Sequence, residues 1–268
     1  MNRPIILLNY ARSGGTLLNR LFGSLPNTVV LSEVNQLGCA FDLKGKKLST
    51  VKKQLADFYN IKIESDEFVS AIEEINQYCI LNKEQLIIRD WTYIEYNYNE
   101  YYKTFPRNEL TTIDLLSHLN PIVFALVRDS IDVWISRGYP KPNEFYAPYL
   151  KYLEDLKQQN IKIFKYEDLT SRPSETFKNI CDHCKIAYVD VTKSFSEFKK
   201  VNGDINKVHN SRGFDLKEIK KLERKAIPLS KIKEINESSQ MRLANKWFNY
   251  SCRYHISKLD HYKFKILN

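Results

Sequence analysis

Residues 4–18 read Pro-Ile-Ile-Leu-Leu-Asn-Tyr-Ala-Arg-Ser-Gly-Gly-Thr-Leu-Leu, and this stretch decides the fold. A short apolar run, typical of a buried strand, meets the polar segment Arg12–Thr16, and a helical pattern begins at Leu17. A strand that turns sharply into a helix leaves backbone N–H groups without intrahelical acceptors, and the helix dipole adds partial positive charge there. The stretch therefore predicts a βα unit whose turn can bind an anion.

The residues of this turn suit a phosphate group. Gly14 and Gly15 let the main chain approach an anion closely. Ser13 and Thr16 add hydroxyl donors, and Arg12 adds a rigid guanidinium fork. The segment is not the usual P-loop, because GxxxxGK[ST] is absent and no lysine precedes Thr16. The alternative is a tight strand-to-helix connection that needs glycine only to turn.

The composition favours a protein that binds anions. The 268 residues are 43% hydrophobic and 27% charged, as in ordinary globular proteins, and the formal net charge is +9. A positive charge of this size attracts nucleotides, sulfated or phosphorylated substrates, or nucleic acid. The basic residues are scattered among acids, without an arginine-rich tract, a zinc finger or an RNA-binding signature. We therefore do not expect nucleic acid as a partner.

Cysteine usage and hydropathy predict a cytoplasmic protein that does not associate with a membrane. Five cysteines in a chain of this length are too few and too irregular for a disulfide framework. The first strand begins at residue 4, which leaves no room for a signal peptide, and no apolar stretch approaches the ~20 residues of a membrane span. Cys181 and Cys184 share a helical stripe with Phe177 and Ile180, which predicts core packing rather than a metal site.

Apolar runs alternate with helical patterns along most of the chain. We predict strands at 4–9, 28–32, 85–89, 121–127 and 161–165. We predict helices at 16–25, 47–58, 65–81, 110–119, 129–137, 144–159, 173–185, 216–225, 229–238 and 239–257. This order favours an α/β class, with a P-loop-like three-layer fold, a parallel sheet of about five strands and helices on both faces. One domain over 1–268, with 215–268 as a helical extension, is the simplest organisation.

A second candidate anion site follows the fourth strand. Arg128 lies directly after that strand, at the sheet edge where ligands of open α/β sheets collect. Ser136 lies eight residues later, about two helical turns, and so on the helix face nearest Arg128. An arginine and a hydroxyl directed to one point suit a phosphate monoester. The alternative is an arginine that pairs with nearby acids, beside an exposed serine.

The two segments together resemble the sulfotransferases that use 3′-phosphoadenosine 5′-phosphosulfate (PAPS) and release adenosine 3′,5′-bisphosphate (PAP). The resemblance implies that the loop and the start of its helix hold the 5′-phosphosulfate, that Arg128 and Ser136 hold the 3′-phosphate, and that a C-terminal loop closes over it. The cofactor-binding residues implied in this way are Arg12, Ser13, Gly14, Gly15, Thr16, Leu17, Arg128, Ser136, Ser211, Arg212 and Gly213.

Other segments support the resemblance and narrow it. Arg89-Asp90-Trp91, Lys165–Leu169 and Gly203-Asp204 are similar to further family segments in the expected order. Arg12 stands in place of a lysine, and no Trp follows Thr16. The resemblance is therefore closer to the carbohydrate and tyrosylprotein branches than to the cytosolic small-molecule branch.

Two carboxylates compete for the role of general base. Glu33 follows the second strand, 21 residues after Arg12, and tyrosylprotein and some bacterial sulfotransferases resemble this chain in using a glutamate after their second strand. Alternatively, Glu33 caps a helix or faces solvent, and Asp90 is the base. In a further alternative, Asp90 forms an ion pair with Arg89 or Arg12. Arg12 is the other catalytic candidate, because its charge would stabilise the bridging oxygen.

The sequence therefore predicts an enzyme that transfers a sulfuryl group from PAPS to a hydroxyl or amine of a small-molecule or carbohydrate acceptor. No metal is expected, because no carboxylate pair accompanies the loop in the manner of P-loop NTPases. The alternatives are a non-catalytic PAPS- or nucleotide-binding relative and a small-molecule kinase, whose P-loop lysine and magnesium carboxylate we do not find. The tyrosine-rich segment 93–102 is either an aromatic platform for the acceptor or a segment that packs its rings into the core.

Overall fold

The computed structural model describes residues 3–39, 42–43, 46–47, 50–98, 105–201 and 218–254. The strands are β1 (Ile5–Asn9), β2 (Thr28–Val34), β3 (Asp42–Leu43), β4 (Lys46–Lys47), β5 (Gln85–Asp90), β6 (Ile122–Val127) and β7 (Lys162–Lys165). The α-helices are α1 (Gly15–Gly23), α2 (Gln36–Cys39), α3 (Val51–Gln54), α4 (Phe68–Leu81), α5 (Tyr93–Tyr96), α6 (Thr111–Leu115), α7 (Ser130–Ser136), α8 (Pro142–Gln158), α9 (Tyr166–Ser171), α10 (Pro173–Cys184), α11 (Leu229–Glu237) and α12 (Ser239–Trp247). The other helical elements among the described residues are a π-helical turn (Leu55–Tyr59) and two 3₁₀ turns (Ser117–Leu119 and Phe195–Glu197).

Five parallel strands form the central sheet in the order β2-β5-β1-β6-β7. The central strand β1 pairs Leu7 with Arg89 of β5 on one side and Asn9 with Leu126 of β6 on the other. The chain runs from β1 to one side of the sheet and returns to the other, so the carboxyl edge beside β1 is a topological switch point. The α/β class and the five predicted strands are confirmed.

Helices cover both faces of this sheet because its strands bury residues on both. Ile5 and Leu7 belong to one hydrophobic cluster, and Ile6 and Leu8 belong to the other. The first cluster is covered by α1 and α10, the second by α4 and α8. All four strand residues are fully buried. A parallel strand covered on both sides requires such a continuous apolar run.

Cys181 and Cys184 are buried in the same cluster as α1, as their apolar stripe predicts. Burial raises the pKa of the Cys181 thiol to about 12. Within the described ranges, no group of three or more His, Cys, Asp and Glu side chains could hold a metal ion. No helix among the described residues is both long and apolar enough to cross a membrane.

The helix predicted over 216–225 is wrong for the part that the structure describes. Residues 218–228 are not helical, and Ile227 is the one buried side chain among them. Without an apolar face to pack, a short helix is marginal in water.

Other boundaries differ from the predictions in smaller ways. The helix predicted over 47–58 is α3 followed by the π-helical turn, which ends at the left-handed residue Asn60. The last predicted helix, 239–257, ends at Trp247. The short helices α2, α5 and α9 were not predicted, because four to six residues carry too little periodicity.

Candidate active site

The loop between β1 and α1 turns at two residues with left-handed dihedral angles, Arg12 (φ 75°) and Gly14 (φ 99°). The amide of Ser13 donates to Tyr10 O at 3.1 Å, and the amide of Leu17 donates to Gly14 O at 3.0 Å. The tight turn therefore leads directly into α1, whose first amides precede any intrahelical acceptor. Ser13 is buried, and among the described residues its Oγ has no hydrogen-bond partner.

Close packing requires both glycines of this loop. A Cβ on Gly14 would collide with the ring of Tyr166. A Cβ on Gly15 would lie 2.5 Å from Nε of Arg89 and 2.5 Å from Oδ1 of Asn9. Gly15 thus allows the Arg89 guanidinium to lie directly against the N-terminus of α1.

Arg89 is the penultimate residue of β5 and is 4% exposed. Its Nε donates to Asn9 Oδ1 at 3.1 Å, and its Nη2 donates to Glu33 Oε1 at 2.5 Å. Its Nη1 is buried and has no partner in the part of the chain that the structure describes. A buried guanidinium nitrogen that lacks an acceptor, beside a helix N-terminus, can donate to an anion.

Glu33 occupies a β-bulge near the end of β2. Its φ is 54°, and the pairing of β2 with β5 shifts register between Ser32 and Val34. A bulge re-aims a side chain, and here it directs the carboxylate to Arg89. Left-handed dihedrals cost a residue other than glycine of order 1–3 kcal/mol and are found preferentially at functional sites. The Glu33 side chain is 25% exposed, so another molecule can reach it.

Asp90 lies on the opposite face of β5 from Arg89, because side chains alternate along a strand. It is buried and accepts hydrogen bonds from Asn35 Nδ2 at 3.0 Å and from Thr112 Oγ1 at 2.6 Å. Burial raises the pKa of its carboxyl to about 6. Asn35 also donates to Glu95, so two buried carboxyl groups share one amide. Asp90 is thus part of a buried polar network on the α8 side of the sheet.

Arg12 joins the two segments in which the sequence predicts anion binding. Its carbonyl accepts a hydrogen bond from Arg128 Nη1 at 3.3 Å, and its Nε donates to Ser136 Oγ at 3.4 Å. The Arg128 guanidinium lies 4.8 Å from the ring centroid of Tyr166. Asp132 Oδ2 lies 3.9 Å from Arg128 Nη2. The Nε of Arg128 is buried and has no partner among the residues described.

The turn that carries Arg128 is held by Glu167, which lies in the family-like segment Lys165–Leu169, and by Asn245 and Tyr250, which no sequence motif marks. Asp129 accepts from the amide of Ile131 at 3.0 Å, and its own amide donates to Glu167 Oε1 at 3.0 Å. Asn245 of α12 donates to Asp129 Oδ1 at 3.1 Å, and Tyr250 OH donates to Glu167 Oε2 at 2.6 Å. Burial raises the pKa of both carboxyl groups.

Thr16 is the second residue of α1 and is half-buried. Leu17 is buried in the core, so its backbone alone can contribute to a site. Ser211, Arg212 and Gly213, with the similar segment at 203–204, lie outside the described residues.

Of the three tyrosines described in the tyrosine-rich segment, Tyr93 and Tyr96 pack against the core and Tyr98 is 50% exposed. Tyr96 is buried, and its hydroxyl donates to Asp155 Oδ2 at 2.7 Å. Tyr93 lies edge-on to the buried ring of Tyr10, with 5.3 Å between the ring centroids, and Arg137 lies 4.3 Å from the Tyr93 centroid. These contacts favour a packing role over an open aromatic platform.

Solved structures match this fold over nearly its whole length. The sulfotransferase domain from the curacin biosynthetic pathway matches with a TM-score of 0.53 and 15% identity, over 94% of this chain and 99% of that one. The sulfotransferase domain from the Synechococcus PCC 7002 olefin synthase gives a TM-score of 0.55 and 14% identity, over 93% and 96%. This chain has the sulfotransferase fold.

Neither a family model nor a curated protein matches the sequence of this sulfotransferase-like chain. At 14–15% identity, the structural likeness shows the fold that the resemblance implied. Because one fold serves several chemistries, the function has to be argued from the residues of the site.

Proposed function

We propose that this protein transfers a sulfuryl group from PAPS to a hydroxyl or amine of a small-molecule or carbohydrate acceptor. The observation that carries the proposal is a set of three buried donors without partners among the described residues: Ser13 Oγ, Arg89 Nη1 and Arg128 Nε. All three belong to residues at the carboxyl edge of the sheet, on or beside the loop that contains Gly14 and Gly15. Each unsatisfied buried donor costs about 1–3 kcal/mol, which a doubly anionic ligand would offset.

The residues at this edge fit PAPS. Ser13, Arg89 and the first amides of α1 would hold the 5′-phosphosulfate, and Arg128 with Ser136 would hold the 3′-phosphate. The close approach of Gly15 to Arg89 supports this assignment, since a Cβ there would fill the space between loop and guanidinium. When bound, PAPS supplies the sulfuryl group.

Glu33 is the proposed general base. Its carboxylate takes the proton from the acceptor as the acceptor oxygen or nitrogen bonds to sulfur. The bond between sulfur and the phosphate oxygen breaks, and its electron pair leaves with PAP. Arg89 fixes one oxygen of Glu33 and leaves the second to accept the proton. Arg12 and the loop amides would stabilise the charge on the departing oxygen, and such positioning and charge dominate loose transfers of this type.

A non-catalytic PAPS-binding protein is the second candidate. The observation that favours it is the ion pair of Glu33 with Arg89, at 2.5 Å, which gives Glu33 a structural partner without any acceptor. In that case the anion site would be as proposed, and no transfer would follow binding.

Two measurements test the proposal. In thermal melts, a ligand at ~100 times its dissociation constant raises the free energy of unfolding by about 2.7 kcal/mol. We expect PAP to give a larger shift than AMP, and to do so in the presence of EDTA. A larger shift with ATP and magnesium would contradict the assignment. Incubation with radiolabelled PAPS and a panel of alcohols, sugars and amines then separates an enzyme, which labels an acceptor, from a binding protein, which does not.

A further inference from the structure

The non-helical segment 218–228 contacts the turn that carries Arg128. Within this segment, Arg224 Nη2 lies 2.5 Å from Asp129 Oδ2, and Arg224 Nε donates to Asp132 Oδ1 at 2.8 Å. All three side chains are largely buried. One guanidinium therefore bridges two carboxylates, a geometry that its planar fork suits.

These two aspartates are also the acidic neighbours of Arg128. Asp129 follows Arg128 in the chain, and Asp132 Oδ2 is 3.9 Å from Arg128 Nη2. With Arg224 in place, two arginines balance two aspartates. Without Arg224, one arginine would face two carboxylates, which would pair with it and repel a phosphate.

The turn itself does not depend on Arg224. Asp129 Oδ1 accepts from the Ile131 amide and from Asn245 Nδ2, whereas Arg224 contacts the other oxygen, Oδ2. Glu167 accepts from the Asp129 amide, a contact that does not involve Arg224. Removal of Arg224 would therefore change the charge around Arg128 more than the course of the backbone.

We propose that Arg224 is a positioning residue for the 3′-phosphate: it engages Asp129 and Asp132 and so leaves Arg128 available to the ligand. This inference rests on the proposed function, and it assigns a role to the C-terminal part of the chain, which no sequence motif explained. Arg224 acts through Arg128 and need not contact the ligand.

The test is calorimetric binding of PAP and of AMP, which lacks the 3′-phosphate, to the full chain. We expect Arg224→Met to weaken PAP binding at least tenfold and AMP binding less than twofold. Asp132→Asn added to Arg224→Met should restore most of the loss, because asparagine neither pairs with Arg128 as an ion nor repels phosphate. Arg224→Lys, which keeps the charge without the fork, should lose less than Arg224→Met.

Arg172→Met is the matched control. Arg172 also bridges two carboxylates, Asp168 at 3.3 Å and Glu175 at 3.0 Å, but all three are exposed. Removal of Arg172 changes the net charge by the same amount as removal of Arg224, and it should leave PAP affinity within twofold of wild type. Three outcomes would overturn this inference but not the proposed function: wild-type PAP affinity in Arg224→Met, an equal loss of affinity for PAP and AMP, or no recovery of affinity when Asp132→Asn is added. Failure of the wild-type chain to bind PAP would overturn the proposed function with it.

Discussion

Glu33→Gln separates a chemical role of Glu33 from a structural one, and the structure sets a magnitude for each. The side chain is held by Arg89 at 2.5 Å, and glutamine can still accept that hydrogen bond. What the substitution removes is the charge. A hydrogen bond to a charged group contributes roughly 1.5–3 kcal/mol and a neutral one roughly 0.5–1.5, so the free energy of unfolding should fall by about 1 kcal/mol.

The transfer rate should fall far more than the stability. Removal of a general base typically costs about 10²–10⁴-fold in rate, or roughly 3–5 kcal/mol of activation free energy. The assay is transfer from labelled PAPS at saturating acceptor, so that weaker acceptor binding is not mistaken for slower chemistry. PAP affinity, measured by calorimetry, should stay within about twofold of wild type, because Glu33 is not placed at either phosphate.

Asp90→Asn is the control for this experiment, because Asp90 is the other candidate base, ends β5 and lies on the opposite face of the strand from Arg89. It should lose less activity than Glu33→Gln. A Glu33→Gln protein that transfers sulfate at the wild-type rate would refute the role of Glu33. If Asp90→Asn were also folded and inactive, Asp90 would be the base instead.

Three further predictions concern the surroundings of the site. Arg128→Ala should weaken PAP binding more than tenfold, since a charged hydrogen bond is worth roughly 1.5–3 kcal/mol, and should change binding of adenosine 5′-phosphosulfate far less; equal losses would indicate a structural role. Burial raises the pKa of Asp90 to about 6, so the folded state binds this proton more tightly than the unfolded state and the Asp90 carboxylate lowers stability as pH rises from about 4 to about 6. The free energy of unfolding of Asp90→Asn relative to wild type should therefore increase across that window, by up to about 3 kcal/mol, and level off above it; a flat difference in denaturant titrations would contradict this. Gly15→Ala should destabilise the fold by about 1–3 kcal/mol and abolish the thermal shift with PAP, because its Cβ would displace Arg89; an unchanged shift would show that the close approach is dispensable.

The strands and the loop could be predicted because their signals are local. The run Ile5–Leu8 is apolar at every position, as a strand covered on both faces requires, and the structure buries all of it. The turn at Arg12–Thr16 follows directly, and α1 begins at Gly15, one residue before the predicted start. Neighbouring residues along the chain carry all of this information.

The contacts that assemble the site could not be predicted, because they join residues far apart in sequence. Arg89 meets Asn9 and Glu33 across 80 and 56 positions, and Arg224 meets Asp129 across 95. The segment around Arg224 is misleading by itself: the spacing of Ile219 and Leu222 suits a helix, yet both stay partly exposed. That segment is instead anchored by ion pairs, which leave no periodic pattern in the sequence.

The sequence alone left open whether the glycines of the loop serve an anion or only a turn, and the polar atoms of the site favour the anion. The connection from α8 to β7, where no ligand is proposed, shows how this fold satisfies a turn: the amides of Gln159, Asn160 and Ile161 donate to Asp155 O, Lys157 O and Leu156 O. At the loop between β1 and α1, in contrast, Ser13 Oγ and Arg89 Nη1 are buried without partners among the described residues. The other two nitrogens of the Arg89 guanidinium, Nε and Nη2, donate to Asn9 and Glu33. If the loop served only as a turn, the fold would be more stable by about 1–3 kcal/mol for each of the two unpartnered atoms that was hydrogen-bonded or exposed to water. Asn19 Nδ2 of α1 is also buried without a partner among the described residues, so the position of such atoms, rather than their burial alone, indicates a ligand. Ser13 and Arg89 lie at the switch point of the sheet, which is where an α/β fold binds its ligand.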